Sequence, residues 1–494
     1  MIGIRRALLL TTAERYLTLT INFLTIAAVS RLLTPEEIGV AVVGTSVAAL
    51  AFSAREFATG TFLIQQPVMT REDIRGAFTV MLILSLLIAG AIVVAAPWAA
   101  ALYNEERLTI YLCVIAAGFF LELLPAPILA LLQREMEFQK VTLLNATNTI
   151  LLAIGTVGLV ILGYSYMSFA WAGLVATACS GLLALFLRPD LWIFHPLLGR
   201  WRGMLRFGGY NGSSVLLYRI YELLPYLVLG RILSIHGTAL YSRAMMISQI
   251  PDKLILGGAA SVVLPALARE ARAGHSLKEP YLRAVEYITG LQWPALLVLS
   301  LLAEPAVRIA LGEQWLEIVP FVQIMAIASL FSFTSLLNHP VLLAVDALWD
   351  TFLRALIAWP VSAIIITVAA LFGLKVIAFS YFIIIPFQAF TSLYFVRKHV
   401  AIAWGDFIRP LQKSAVVAAS SALGPAAIVL IFGDGWHIPI GLALGAGLLS
   451  ALGWIGGLWW TGHPLLQEIE RGMMIVRASH LGRRVFGVSP TPVE

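Results

Sequence analysis

Arg31-Leu-Leu-Thr-Pro-Glu-Glu-Ile-Gly39 separates two long apolar runs and reads as a tight hinge between two membrane helices. Thr34 places a hydroxyl at the N-cap, and Pro35 falls at the first helical position, where a missing N–H costs nothing. Glu37, three residues after Thr34, completes a capping box and sets a carboxylate at the positive end of the helix dipole. One helix is therefore expected to end at about Leu33 and the next to begin at about Pro35. About 200 residues later a fainter copy appears, Arg231-Ile-Leu-Ser-Ile-His-Gly-Thr-Ala239. Arg231, Leu233 and Ser234 stand where Arg31, Leu33 and Thr34 stand; the hydroxyl cap is kept, and the Pro and Glu are not. One hinge written twice, at the same place in two halves, indicates a duplicated transporter.

Composition sets the class. Of 494 residues, 60% are hydrophobic and only 12% charged, against about 25% charged in a soluble chain, and the mean hydropathy is +0.89. Apolar runs long enough to cross a bilayer recur from end to end, leaving no room for a soluble domain of ordinary size. Arg5 and Arg6 precede an apolar segment that runs on to Leu33 without a small-residue cleavage site, so a retained first helix is expected rather than a signal peptide. Cys113 and Cys179 both fall inside apolar runs, no metal-ligand set is evident, and no metal or cofactor is expected. The net charge of +6 is dispersed among loops, which points to topology and not to a nucleic-acid partner.

About fourteen spans are expected, at roughly 10–33, 36–60, 76–97, 108–132, 141–162, 166–187, 207–230, 238–268, 285–310, 317–345, 353–373, 376–396, 413–432 and 438–460. Alternate loops differ sharply in charge. The side holding the N-terminus has 23 of the 33 Lys and Arg residues, the other side has 5, and 5 lie within spans. Positive loops stay inside, so both termini are expected in the cytoplasm. The hinge echo links spans 1–2 to spans 7–8, an even offset, which makes the repeats parallel. The expected fold is thus all-α and polytopic, with two six-helix lobes, 1–190 and 191–400, around a central cavity. Helices 13 and 14 (401–462) are extra. A cytoplasmic amphipathic tail follows at 463–494, where Leu465, Leu466, Ile469, Met473 and Val476 recur near helical spacing among arginines.

Ionisable side chains in a bilayer cost at least about 2.5–3.5 kcal/mol each near its centre, and so face a cavity or pair with one another. The candidates are Glu14, Arg15, Arg55, Glu56, Glu122, Arg219, Glu222, Arg243, Asp252 and Lys253. All but Glu122 lie in spans 1, 2, 7 and 8, the two hairpins that carry the hinge. Two readings stand side by side. The charges form self-neutralising pairs that lock helices together, with Arg15, Arg55 and Arg243 free to snorkel toward the faces. Alternatively Arg15, Arg55, Arg219 and Arg243 line a cationic path suited to pyrophosphate, since arginine stays charged and offers a planar fork of donors. On the second reading Glu14, Glu56, Glu122, Glu222 and Asp252 balance that charge or bind a coupling H⁺ or Na⁺. Glu122, before Pro125 and Pro127, either pairs with an arginine of another span or takes a proton. Catalysis is not expected: the outer loops are stubs such as Gly163-Tyr-Ser-Tyr166, and there is no phosphate-cradling loop for ATP hydrolysis.

The hinge Arg31–Gly39 resembles the segment after the first helix of the polysaccharide transport family, in the multidrug/oligosaccharidyl-lipid/polysaccharide exporter superfamily. Glu56-Phe-Ala-Thr-Gly-Thr-Phe-Leu-Ile-Gln65 is similar to that family's Gly-containing end of span 2, and Thr70-Arg-Glu-Asp73 to its polar start of span 3. The chain departs from the usual Asp-Leu-Gly-Leu-Gly pattern with Arg-Glu-Phe-Ala-Thr-Gly. The resemblance implies a bacterial inner-membrane flippase for polyprenyl-pyrophosphate-linked oligosaccharide, working by alternating access of two lobes. It also implies contact with membrane lipids, and polysaccharide polymerase and glycosyltransferase partners. Related peptidoglycan-precursor flippases carry a cavity arginine near the end of span 2, to which Arg55 corresponds. The rival expectations are a cation-coupled multidrug exporter of the same superfamily and an integral-membrane glycan polymerase or ligase.

Overall fold

The computed structural model describes residues 2–65, 69–197, 201–433 and 437–478, and its regular elements are all helices. The first half of the chain forms α1 (Ile2–Leu32), α2 (Pro35–Gln65), α3 (Arg71–Tyr103), α4 (Arg107–Leu121), α5 (Pro125–Arg134), α6 (Phe138–Ile161), α7 (Met167–Leu187) and α8 (Trp201–Ile232). There follow α9 (Ile235–Ser248), α10 (Ile250–Arg272), α11 (Lys278–Leu301), α12 (Ala303–Ala310), α13 (Val319–Ala328) and α14 (Ser335–Ala344). The chain continues through α15 (Leu348–Ala370), α16 (Leu374–His399), α17 (Ile408–Phe432), α18 (Ile440–Thr461) and α19 (Pro464–Ala478).

Four expected spans are interrupted helices. Span 4 is α4 and α5, bent by 47° at the residues before Pro125. Span 8 is α9 and α10, reset at Gln249 with Pro251 in the new first turn. Span 9 breaks at Leu302, and span 10 passes through a tight turn at Ser329–Ser332. Proline belongs in a first turn and breaks an interior, so Pro125 and Pro251 mark where an uninterrupted pattern must restart. Among the described residues, ten segments are long and apolar enough to cross a membrane, or eleven with the bent α4–α5 pair, rather than fourteen. The expected spans outside that count are 10–33, 207–230 and 238–268, which carry Glu14 and Arg15, Arg219 and Glu222, and Arg243 to Lys253. Large apolar side chains face outward along the others, Trp98 at 72% and Phe186 at 82% exposure, as lipid contact requires.

Both hinges close with the expected chemistry. The Thr34 N–H donates to Glu37 Oε2 at 2.8 Å, and the Glu37 N–H returns to Thr34 Oγ1 at 3.3 Å. In the echo, the Gly237 N–H donates to Ser234 Oγ at 2.9 Å. The two copies also touch. A Cβ on Gly39 would stand 2.2 Å from the Ile235 carbonyl oxygen, so only glycine permits this approach. From that contact α2 runs packed along α8, and the Tyr103 hydroxyl of α3 donates to the Leu227 carbonyl at 3.0 Å.

The chain divides into two compact units, each assembled from separate stretches: 1–244 with 308–318 and 355–380, and 245–307 with 319–354 and 381–494. The first holds both hinges and a core around Phe78, Ile128, Leu131 and Leu144. The second has a core around Tyr281, Val285, Leu337 and Val396. In the second unit the tail helix α19 starts at Pro464, as expected, but docks on protein: Leu465 is buried with Val417 and Leu458, and Ile469 packs against the same cluster. His463 anchors that corner, its Nε2 3.3 Å from Ser414 Oγ and its Nδ1 accepting the Leu465 N–H at 3.3 Å.

Two outcomes follow from this packing. Gly39→Ala is expected to cost roughly 1–3 kcal/mol, the usual penalty of overpacking, and to lower the melting temperature of the purified protein; Gly90→Ala, inside α3 with nothing within 4 Å of its Cβ, is expected to hold or raise it. Equal melting of G39A and G90A would contradict the close approach. Burial, aided by the nearby Lys413 ammonium, pushes the His463 imidazole down to about 4. The unfolded chain then binds more protons between about pH 6.5 and 4, so the anchor is at full strength above that window and weakens as pH falls through it. The melting difference between wild type and His463→Gln is expected to shrink from pH 7.5 to pH 5.

Candidate functional site

At the hinge end of the first unit, helix termini create the site. α1 stops at Leu32, which leaves the Ser30 carbonyl without an intrahelical donor. The Trp315 indole N–H donates to it at 2.7 Å, and the Gln314 amide donates both to it and, at 3.1 Å, to the Leu33 carbonyl. Arg243 Nε donates to the Ser30 hydroxyl at 2.8 Å, with its guanidinium 5.6 Å from the centre of the Trp315 ring. The Arg31 side chain reaches the Ile309 carbonyl. His236, the first residue after Ile235 in the echo, has Nδ1 2.8 Å from Glu36 and Nε2 3.5 Å from Glu317. The two hinges and the 308–318 segment are thus tied by one polar knot around a buried arginine.

Arg55 is enclosed elsewhere in the same unit, its side chain 6% exposed. Because α4 ends at Leu121, the Phe119 carbonyl loses its i+4 partner; the Leu123 N–H turns to Phe120 instead. Arg55 Nη1 donates to that Phe119 carbonyl at 3.3 Å and to Ser85 Oγ at 3.4 Å. The Phe52 and Phe119 rings, stacked on each other at 4.1 Å, lie 5.1 and 5.7 Å from the guanidinium. Glu122, in the break itself, is 3.9 Å away. The break in span 4 therefore supplies both a carbonyl and a carboxylate to one arginine.

The other candidates are dispersed. Glu14 accepts from Thr142 Oγ1 at 3.1 Å and from the Asn145 amide at 2.9 Å on α6, while Arg15 beside it is exposed. Arg219 and Glu222 pair at 2.7 Å one turn apart on α8, 48% and 40% exposed. In the second unit, Asp252 accepts from the Gln292 amide at 2.7 Å, and the same amide donates to Ser332 at 2.9 Å in the turn that breaks span 10. Lys253, next in sequence, is exposed. Glu56 lies on α2, and its side chain is outside the described residues. Glu122 with Arg55 and Glu222 with Arg219 are brought together; Arg15, Arg55, Arg219 and Arg243 have separate sets of described contacts. Sequence reading passed over Ser30, Trp315, His236 and Gln292. A signal existed for two of them: His236 sits inside the hinge echo, and Trp315 in the short acidic loop Gly312-Glu-Gln-Trp-Leu-Glu317.

Trp315→Ala removes a fully buried ring, its hydrogen bond to Ser30 and the face beneath Arg243. Leu33, itself buried, then becomes reachable. A Leu33→Cys reporter is expected to react at least tenfold faster with a membrane-impermeant maleimide added outside cells when Trp315 is Ala; an unchanged rate would show that the knot does not seal this end.

A model of the family described as "Polysaccharide biosynthesis protein" matches residues 28–320. Among curated relatives, the succinoglycan biosynthesis transport protein ExoT of Rhizobium meliloti (strain 1021) is 27% identical over 316 residues, 63% of either chain. The teichuronic acid biosynthesis protein TuaB of Bacillus subtilis (strain 168) is 22% identical over 58% of this chain and 59% of its own. The lipopolysaccharide biosynthesis protein WzxC of Escherichia coli (strain K12) is 22% identical over 61% of this chain and 62% of its own. The match spans about three-fifths of the length of these relatives. Among solved structures, the lipid II flippase MurJ in an inward closed conformation superposes with a TM-score of 0.71 at 13% identity, covering 91% of this chain and 97% of its own. An inward-facing MATE family multidrug transporter gives 0.60 at 17% identity, covering 81% and 94%. At such identities the likeness is one of fold, and it agrees with the all-α polytopic class read from the sequence. With a family model matched over more than half of its residues, the chain belongs to the polysaccharide biosynthesis protein family and has the fold of the MurJ and MATE transporters.

Proposed function

We propose that this chain is a flippase that carries polyprenyl-pyrophosphate-linked oligosaccharide repeats across the bacterial inner membrane for surface polysaccharide assembly. The carrying observation is the Arg219–Glu222 pair. It lies 13 residues before the end of α8, or about 20 Å at 1.5 Å per residue, and both side chains are nearly half exposed. Facing lipid at that depth, each charge would cost at least about 2.5–3.5 kcal/mol. The pair therefore faces water, and a wetted face deep in the bilayer is what a polar headgroup needs to cross. The family match and the names of the transport relatives support the choice of cargo.

In this reading the pyrophosphate and sugars pass along the wetted face, on Arg219 with Arg15, while the prenyl tail stays in lipid. Arg55 and Arg243, enclosed as they are, set the path's potential and hold its helices. The two six-helix lobes rock about the path, and the polar knot at the hinges is the set of contacts that must part when the outer side opens. Glu14, Glu56, Glu122 and Glu222 balance the arginines in the empty path. Asp252, whose described partner is the neutral Gln292, is placed to take up a coupling proton or cation. No bond chemistry is assigned to the chain, which hands its cargo from glycosyltransferases on the cytoplasmic side to a polymerase outside, with both of its termini in the cytoplasm.

Cells lacking the chain are expected to lose surface polymer and to accumulate lipid-linked repeats in the membrane. Arg219→Ala at normal protein level is expected to lower polymer at least tenfold. Normal polymer in the deletion, together with new sensitivity to cationic dyes, would replace this reading with drug export.

A further inference from the structure

Two tyrosines alternate with the Arg219–Glu222 pair along α8, and one tryptophan packs on both of them. Tyr221 of α8 stacks on Trp359 of α15, with ring centroids 4.8 Å apart and planes 28° from parallel. Tyr218, one turn earlier, meets the same indole edge-on at 5.4 Å and is 41% exposed. All three belong to the first unit. Tryptophan and tyrosine gather at the two faces of a bilayer, where ring and polar group are both satisfied. Trp359 is not there. It stands 11 residues from each end of α15, about 16 Å from either, at the middle of the hydrocarbon core. Two phenols, an indole and an ion pair at that depth are poor lipid contacts, since hydrocarbon offers polar atoms no partner.

A pyranose ring has the opposite requirements. Its C–H faces pack on aromatic faces, and its rim of hydroxyls needs donors and acceptors such as phenols, a guanidinium and a carboxylate. A diphosphate beside it needs the forked donors of arginine. Arg219 follows Tyr218 directly and pairs one turn away with Glu222. The spacing therefore offers an anion site on the stripe of α8 that adjoins the ring platform.

We infer that Tyr218, Tyr221 and Trp359 are the platform that holds the first sugar of a glycosyl diphosphate, next to Arg219, which holds the diphosphate. This assignment rests on the flippase reading and deepens it: the path recognises the saccharide at mid-membrane and not the phosphate alone. Trp359 is fixed by its stack on Tyr221 and supplies the rigid floor. Tyr218, with its greater exposure, is the ring that cargo meets. Glu222 bonds to the Arg219 fork in the empty site and is released to a sugar hydroxyl when the diphosphate arrives.

The test uses the purified full-length protein in lipid nanodiscs and two water-soluble probes, geranyl diphosphate and geranyl diphosphate carrying one hexose. Wild type is expected to bind the glycosylated probe at least tenfold more tightly than the bare one. Trp359→Ala and the double variant Tyr218→Ala/Tyr221→Ala are expected to erase that preference while the bare probe binds within about threefold of wild type, which also reports that the variants are folded. Trp359→Phe, which keeps a ring, retains most of the preference. A preference unaffected by the alanine variants, or both probes weakened equally, would overturn the platform and leave the flippase reading intact. Failure of wild type to bind either probe would overturn both.

Discussion

A charged side chain inside a bilayer must be solvated by something, and most of this fold can be read as the means of doing so. Arg55 is met by a carbonyl that α4 abandons when it stops early, by two phenyl faces and by a carboxylate lying in the same break. Arg243 is met by a serine hydroxyl and an indole face. Around Arg55 the protein replaces water with groups released by a helix break, which an unbroken helix could not supply, and around Arg243 with side chains gathered beside the end of α1. Arg219 is handled differently: one carboxylate shares its charge and the rest of its surface stays open. The guanidiniums of Arg55 and Arg243 are thus enclosed, and that of Arg219 is open.

The same constraint bears on the three expected spans that stand outside the count among the described residues. The segments near 10–33, 207–230 and 238–268 carry Glu14 and Arg15, Arg219 and Glu222, and Arg243 to Lys253. The loop-charge pattern leads one to expect that they cross, with their polar groups turned toward protein or water. A polar membrane helix is thus better diagnosed by the alternation of Lys and Arg in its flanking loops than by its own composition.

Sequence reading recovered what is local. Caps at Thr34 and Ser234, proline resets at Pro125 and Pro251, and the start of the tail helix at Pro464 depend on neighbours a few residues away. The hinge echo was legible too, because a hydroxyl cap recurs at the same place in each copy. Pairings across the chain were not. Nothing near residue 30 announces Trp315, and nothing near Asp252 announces Gln292, since each partner is chosen by how helices lie and not by spacing along one of them. The stack of Tyr221 on Trp359 is of the same kind: 138 positions separate residues that share one ring contact. The tail was misjudged in one respect, because its apolar stripe reads the same whether it meets lipid or, as Leu465 and Ile469 do, other helices.

The close approach of Gly39 to Ile235 also has a meaning in time. The first hairpin emerges from the ribosome with its glycine notch open, and the backbone that fills the notch lies about 200 residues downstream. At roughly 5–20 residues per second that is an interval of about 10–40 s. During it α2 sits in the membrane with the face meant for α8 uncovered and the carbonyls at the end of α1 awaiting Gln314 and Trp315, which come later still. Biogenesis of this fold is therefore a waiting problem. The earliest helices inserted are among the last to be completed, and whatever attends the nascent chain must keep a polar, notched hairpin from settling on the wrong neighbour.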